Sequence, residues 1–117
     1  MGLTLSGPIG GLGDKMRVIS VATLRNFWED RLYRDAEQPL KSWLDEVGRV
    51  DWDGPAGIKA LYGSASILKN RRVVFNIKGN DYRLVVAVAY KTRTIFIKFI
   101  VTHKQYDAID VNTVEPE

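Results

Sequence analysis

Three observations predict an α+β domain for this chain. Apolar residues recur at helical spacing through the first half, the spacing switches to alternation after residue 72, and clusters of turn residues divide the alternating part into three runs. The predicted architecture is an N-terminal helical hairpin packed on an antiparallel meander.

Each element follows from local pattern. Met16 to Ser20 is a short apolar stretch of edge-strand type. Leu24, Phe27, Trp28 and Leu32 then form one stripe of a helix over 21–31, with Ser20 as N-cap. Asp35 opens a second helix, with Gln38 as capping-box partner and Pro39 in the first turn. Its stripe is Leu40, Trp43, Leu44 and Val47, and Gly48 is placed to end it. The spacing assigns both tryptophans to the core. Asp53-Gly54-Pro55 starts a third helix with Ile58, Leu61 and Tyr62 inward, stopped by Gly63. Strands are predicted over 72–78, 82–90 and 94–102, with turns at 79–81 and 91–93. A helical turn over 103–110 follows, and the end frays from about Val111.

The length supports one domain, read here as 16–117. Residues 1–15 hold five glycines and a proline and lack a basic n-region and an apolar h-region. They read as a flexible leader, an artefact of an upstream start, or a cloning remnant. The chain has no cysteine and one histidine, which leaves no thiolate site and no plausible transition-metal cluster, so no metal and no cofactor are expected. No apolar run approaches the roughly 20 residues of a membrane helix, and no membrane association is expected.

Charge is concentrated. Residues 69–104 carry nine Lys/Arg and a single acid, Asp81, whereas residues 105–117 carry four acids and no base. A local excess of that size attracts polyanions. Alternation puts Val73, Phe75 and Ile77 on one sheet face and Arg72, Asn76 and Lys78 on the other. A two-residue turn at Asn80-Asp81 would set Lys78 opposite Arg83, and one at Thr92-Arg93 would set Ala87 opposite Lys98. With continued alternation, Phe99 and Val101 lie on the core face. The other face then gathers Arg72, Asn76, Lys78, Arg83 and Lys98 over a floor of Ala87 and Ala89, a surface suited to a phosphodiester chain. RNA can be cut without metal if a group accepts the 2′-hydroxyl proton, another protonates the leaving oxygen, and cations hold the phosphate. His103 is the one side chain that titrates near neutrality unperturbed, with Lys104 beside it and Tyr106 on the same side of a turn.

The segments MRVIS, ATLRNFWEDR, DAEQPLKSWLDEV, RVVFNIKGNDYRLVVAVAY and IFIKFIVTHKQYDAID resemble the HigB-type toxins of the RelE/ParE-like superfamily, from Met16 to about Val111. The pattern FNIKGNxYRL with a downstream THxxYD is specific. The resemblance implies a helical hairpin on a curved sheet and a cytoplasmic, mRNA-cleaving toxin of a type II toxin–antitoxin module. Its implied partners are mRNA, often on the ribosome, and a helix-turn-helix antitoxin of HigA type, with operator DNA reached only through that antitoxin. The motif positions are Asn76, Lys78, Asn80, Arg83, His103 and Tyr106. On this reading Arg83 and Lys78 hold the scissile phosphate, and His103 or Tyr106 moves the proton. Arg72, Asn76, Asn80, Lys98 and Lys104 bind neighbouring RNA. ParE-like relatives that act on DNA gyrase, and a non-catalytic RNA-binding module, remain the alternative functions.

Overall fold

A computed structural model describes residues 15–111. The leader expected over residues 1–15, apart from Lys15, lies outside the described residues. The element order is β1 (Arg17–Ile19), α1 (Val21–Glu29), a 3-10 segment (Arg31–Ala36), α2 (Glu37–Val47), α3 (Pro55–Leu61), β2 (Ser66–Ile67), β3 (Arg72–Ile77), β4 (Tyr82–Ala89), a 3-10 turn (Tyr90–Thr92), β5 (Thr94–Thr102) and α4 (His103–Tyr106).

The strands form one five-stranded sheet in the order β1-β5-β4-β3-β2. The predicted meander is its centre. The sheet as a whole is mixed, because β1 pairs parallel to β5 through Arg17 with Thr94, Val18 with Ile95, and Ile19 with Phe96. One face is the core. Val73, Phe75, Leu84, Val86, Ile95 and Ile97 meet Leu24, Leu40, Trp43, Val47 and Ile58 from the helices. Burying each such side chain stabilises the fold by about 1.5–3 kcal/mol. Trp28 and Trp43 are buried, as their stripe positions predict.

The link between α1 and α2 departs from the sequence reading. α1 stops at Glu29, and the Asp30 side chain accepts the Leu32 amide at 2.9 Å to start the 3-10 segment. The changed helical pitch turns Leu32 outward, 76% exposed, and turns Tyr33 inward to stack on Phe27 at 4.4 Å. Asp35 does not cap α2; Ala36 occupies that position, and the Asp35 carboxylate instead accepts the Tyr82 hydroxyl at 2.5 Å. In α3, Pro55 stands in the first turn and Ile58 is buried, but Leu61 is 48% exposed where an inward position is predicted.

Register corrects the sheet. The β3–β4 loop has four residues, Lys78 to Asp81, closed by the pair Ile77–Tyr82. Lys78 and Gly79 both take positive φ, 54° and 65°, which lets the chain reverse there. Asn76, rather than Lys78, therefore lies opposite Arg83. Between β4 and β5 a bulge shifts the register: Val86 pairs with Ile97 and Val85 with Phe99, which leaves Lys98 as the extra residue. On the turn side of the bulge the β4–β5 connection has four residues, Tyr90 to Arg93, closed by the pair Ala89–Thr94, so Ala87 faces Phe96 rather than Lys98. Beyond the bulge the faces exchange. Ile100 joins the core, whereas Phe99 and Val101 lie beside Val85 and Arg83 on the outer face.

Candidate active site

The β3–β4 loop and α4 meet at one end of the outer face. Thr102 and Gln105 form a capping box: the Thr102 hydroxyl oxygen accepts the Gln105 amide at 3.1 Å, and Gln105 Oε1 accepts the Thr102 amide at 3.0 Å. This reciprocal cap fixes where the chain leaves the sheet, and it sets His103 and Tyr106 on one short turn. The His103 amide donates to the Asp81 carbonyl at 3.0 Å, tying that turn to the β3–β4 loop.

Arg83 is held by its surroundings. Its Nη1 donates to the Asn80 carbonyl at 3.0 Å and its Nη2 donates to Asn80 Oδ1 at 2.8 Å. The guanidinium lies 5.8 Å from the centre of the Tyr106 ring. Asn76 faces Arg83 across the strands, and Val101 faces it from the other side. Arg83 is half-buried, so part of the cation reaches water with its orientation already set. His103 is 45% exposed in its side chain, with Nε2 3.5 Å from Asp107 Oδ2. Protonated, the imidazole would gain that carboxylate as an ion-pair partner. Lys104 is exposed on the same turn. The Arg83 guanidinium thus lies with the Tyr106 phenol, Asn80 and the cross-strand Asn76, and the His103 imidazole stands on the same short turn as Tyr106. Such a set can hold a phosphate in a guanidinium fork and move a proton beside it.

The remaining residues of the predicted site are placed elsewhere. Lys78 shares the loop with Asn80 but points away from Arg83. Its Nζ lies 3.0 Å from Asp81 and 3.4 Å from Asp35. The Asp81 carboxylate, with Asp35 behind it, holds the Lys78 ammonium above its ordinary pKa. Asp35 is held below the ordinary carboxylate value, mainly by the Tyr82 hydroxyl and then by Lys78. The Tyr82 hydroxyl is pushed up, first by desolvation and then by Asp35. This Asp35–Tyr82–Lys78 group couples the loop to the helical layer. Sequence reading misses it because Asp35 stands where an N-cap also would.

Arg72 is buried, 4% exposed, and its Nη1 donates to the Val111 carbonyl at 3.1 Å. The C-terminal segment therefore runs across the outer face, from Tyr106 over Arg83 to Val111 at Arg72. Val74 and Val85 lie between these two anchor points and are buried without belonging to the main core. Lys98 sits half-buried at the bulge. A cleft of about 530 Å³, lined by Asp53, Arg71, Ala89, Tyr90, Lys91 and Thr92, opens at the opposite end of β4. No helix among the described residues is long and apolar enough to cross a membrane.

A family model for HigB toxins, described as the RelE-like toxic component of a toxin–antitoxin system, matches residues 36–109. The mRNA interferase toxin HigB of Escherichia coli strain K12 is 34% identical over 94 residues, covering 79% of this chain and 88% of that protein. The mRNA interferases HigB of Escherichia coli O157:H7 and of Shigella flexneri match to the same extent. The matched span includes all of the loop and turn that carry Asn80, Arg83, His103 and Tyr106, and on these grounds the chain belongs to the HigB family of RelE-like toxins.

Proposed function

We propose that this HigB-family chain is an endoribonuclease that cleaves mRNA by metal-free attack of a 2′-hydroxyl on the adjacent phosphate. The observation that carries the reading is the Arg83 guanidinium, pre-set by Asn80 and the Tyr106 ring beside the His103 turn. A cation already oriented needs little reorganisation when charge develops on the phosphate. Arg83 holds the scissile phosphate and stabilises its added charge. His103 or Tyr106 takes the proton from the 2′-hydroxyl or returns one to the leaving 5′-oxygen. Asn76, Asn80 and Lys104 position the flanking nucleotides. Lys78 acts from the side of the loop, where exchanging a carboxylate for a phosphate is open to it, and Lys98 lies farther along the path of the strand, whereas Arg72 is buried beneath the C-terminal segment and holds it in place rather than contacting RNA.

The RelE/ParE-like arrangement supports this division of the sheet, with α1 and α2 as a helical hairpin behind it and the outer face left for RNA. The toxin works in the cytoplasm on mRNA engaged by the ribosome. A helix-turn-helix antitoxin of HigA type neutralises it, and operator DNA is reached only through that antitoxin. The test is induction in a bacterial host, with cut sites mapped on a reporter mRNA. Cleavage by the parent chain and its loss in Arg83→Ala are expected. Uncut mRNA in cells whose growth the parent chain arrests would overturn the reading.

A further inference from the structure

We infer that the outer face of β5 is a base-stacking strip, on which Phe96 receives an unpaired nucleobase of the bound RNA. This rests on the ribonuclease reading and assigns part of its substrate contact.

Phe96 is the one exposed aromatic side chain among the described residues, at 39% relative exposure. The others lie buried or half-buried. Its neighbours leave room above it. Ala87 stands directly opposite on β4 and contributes only a methyl group, and Ile19, also exposed, stands opposite on β1. A phenyl ring kept in water beside an alanine floor loses burial that a smaller residue would not forgo. A flat apolar ligand would restore it.

The strip is continuous with the Arg83 end. Ala87 lies four residues along β4 from Arg83, roughly 13 Å at strand rise. The bulge at Lys98 turns Phe99 out of the core and onto this same face, between Phe96 and Val101, the partner of Arg83. Bulges re-aim side chains in this way. The β3 side of the face is crossed by residues 106–111, so the β5 side is the open route.

Charge selects the occupant. On the far side of Ala87, Ala89 lines the cleft that holds two cations, Arg71 and Lys91, against one acid, Asp53. Neither of those side chains forms a hydrogen bond or ion pair with the described residues, and Arg71 is presented from backbone at φ 60°. Arg17 is exposed on the same face of β1 as Ile19. An aromatic ring bordered by cations takes a base on its face and phosphates at its rim, which is how single-stranded nucleic acid is held without sequence readout.

The experiment compares the parent chain, Phe96→Ala and Phe96→Trp on two readouts. One is binding of a short single-stranded 2′-O-methyl oligoribonucleotide, which cannot undergo 2′-hydroxyl attack. The other is cleavage of a reporter mRNA. Circular dichroism melts verify that each variant is folded. Phe96→Ala is expected to weaken oligonucleotide binding about five- to a hundredfold, the range of one lost base stack. Phe96→Trp is expected to retain binding, with its added fluorescence quenched by the oligonucleotide while the buried tryptophans stay unchanged. Unaltered binding in folded Phe96→Ala, or an unquenched Phe96→Trp that still binds, overturns the strip. So does a Phe96→Ala chain that keeps RNA but loses its antitoxin, which would make the patch a protein-docking surface. A parent chain that binds through Phe96 yet cuts no mRNA leaves the strip standing and overturns the ribonuclease reading. A parent chain that binds no RNA overturns both.

Discussion

At the scale of single residues, the account rests on three side chains with different jobs. Arg83 supplies a fixed fork, so Arg83→Ala should lower cleavage on the order of 10²–10³-fold, the usual cost of one transition-state donor. Arg83→Lys should recover little of it, because an ammonium cannot make the paired contacts to Asn80 that hold the fork in place. Both variants should melt near the parent, since a half-buried arginine outside the core contributes little to stability. His103→Gln and Tyr106→Phe separate the proton carriers. Whichever group moves the proton should cost on the order of 10²–10⁴-fold in rate. A parent-like rate in both folded variants would leave catalysis to positioning and charge alone. These two residues are legible in the sequence as an i, i+3 pair, and the Thr102–Gln105 cap explains why they share a turn. Asn80 is legible only as a motif residue, because its bond to Arg83 depends on a four-residue loop that the spacing of glycine and asparagine does not specify.

At the scale of elements, the strands and helices follow from period, and the errors fall where one residue changes the phase. TIFIKFIVT reads as one unbroken strand from Thr94 to Thr102, apolar on both sides of Lys98, and nothing in it marks Lys98 as an extra residue. The bulge is decided by the partner strand, and it exchanges the faces of Phe99 and Ile100. Asp35 illustrates the same limit. A capping box and a tertiary contact to Tyr82 ask for the same residue type, and the fold chooses the second. That choice has a pH signature. A carboxyl held below its ordinary value stabilises the native state above about pH 4, and the contribution is lost as pH falls through its lowered value. Tyr62, Tyr82 and Tyr90 are shifted upward, chiefly by desolvation, so their contribution is complete below about pH 10 and is lost as pH rises beyond it. Phenolate absorbance should therefore appear later than in free tyrosine and coincide with alkaline unfolding. Tyr82→Phe should lower stability at neutral pH and flatten the acid-side loss, and adding Asp35→Asn should remove what remains of that loss from Asp35, including the part owed to Lys78. Packing of α3 gives a second test. A Cβ on Gly57 would sit 2.8 Å from Cδ1 of the buried Trp52, whereas one on Gly63 would meet nothing within 4 Å. Gly57→Ala should destabilise by about 1–3 kcal/mol, and Gly63→Ala should be nearly silent in the same melt.

At the scale of the molecule, the cation surplus of residues 69–104 is readable from composition, but its distribution is not. Arg93 is paired with Asp51, Lys78 with Asp35 and Asp81, and Arg72 is buried beneath the C-terminal segment. Arg71, Arg83, Lys91 and Lys104 stand around the outer face, and with the neighbouring basic side chains of this span about three to five phosphate contacts are expected. The logarithm of RNA affinity should then fall with the logarithm of salt at a slope of roughly −2 to −4. A flat response would remove the electrostatic part of the account. The chemistry itself is read from the ends of the cut RNA. Attack by a 2′-hydroxyl, with Arg83 on the phosphate and His103 or Tyr106 on the proton, leaves a 2′,3′-cyclic phosphate or its 3′-phosphate on one fragment and a 5′-hydroxyl on the other. Mapping the termini of reporter mRNA cut by the purified chain on translating ribosomes, which keep their own magnesium, should give those ends and none with Arg83→Ala. Fragments ending in 3′-hydroxyl and 5′-phosphate would show a water-driven cut and contradict the central claim.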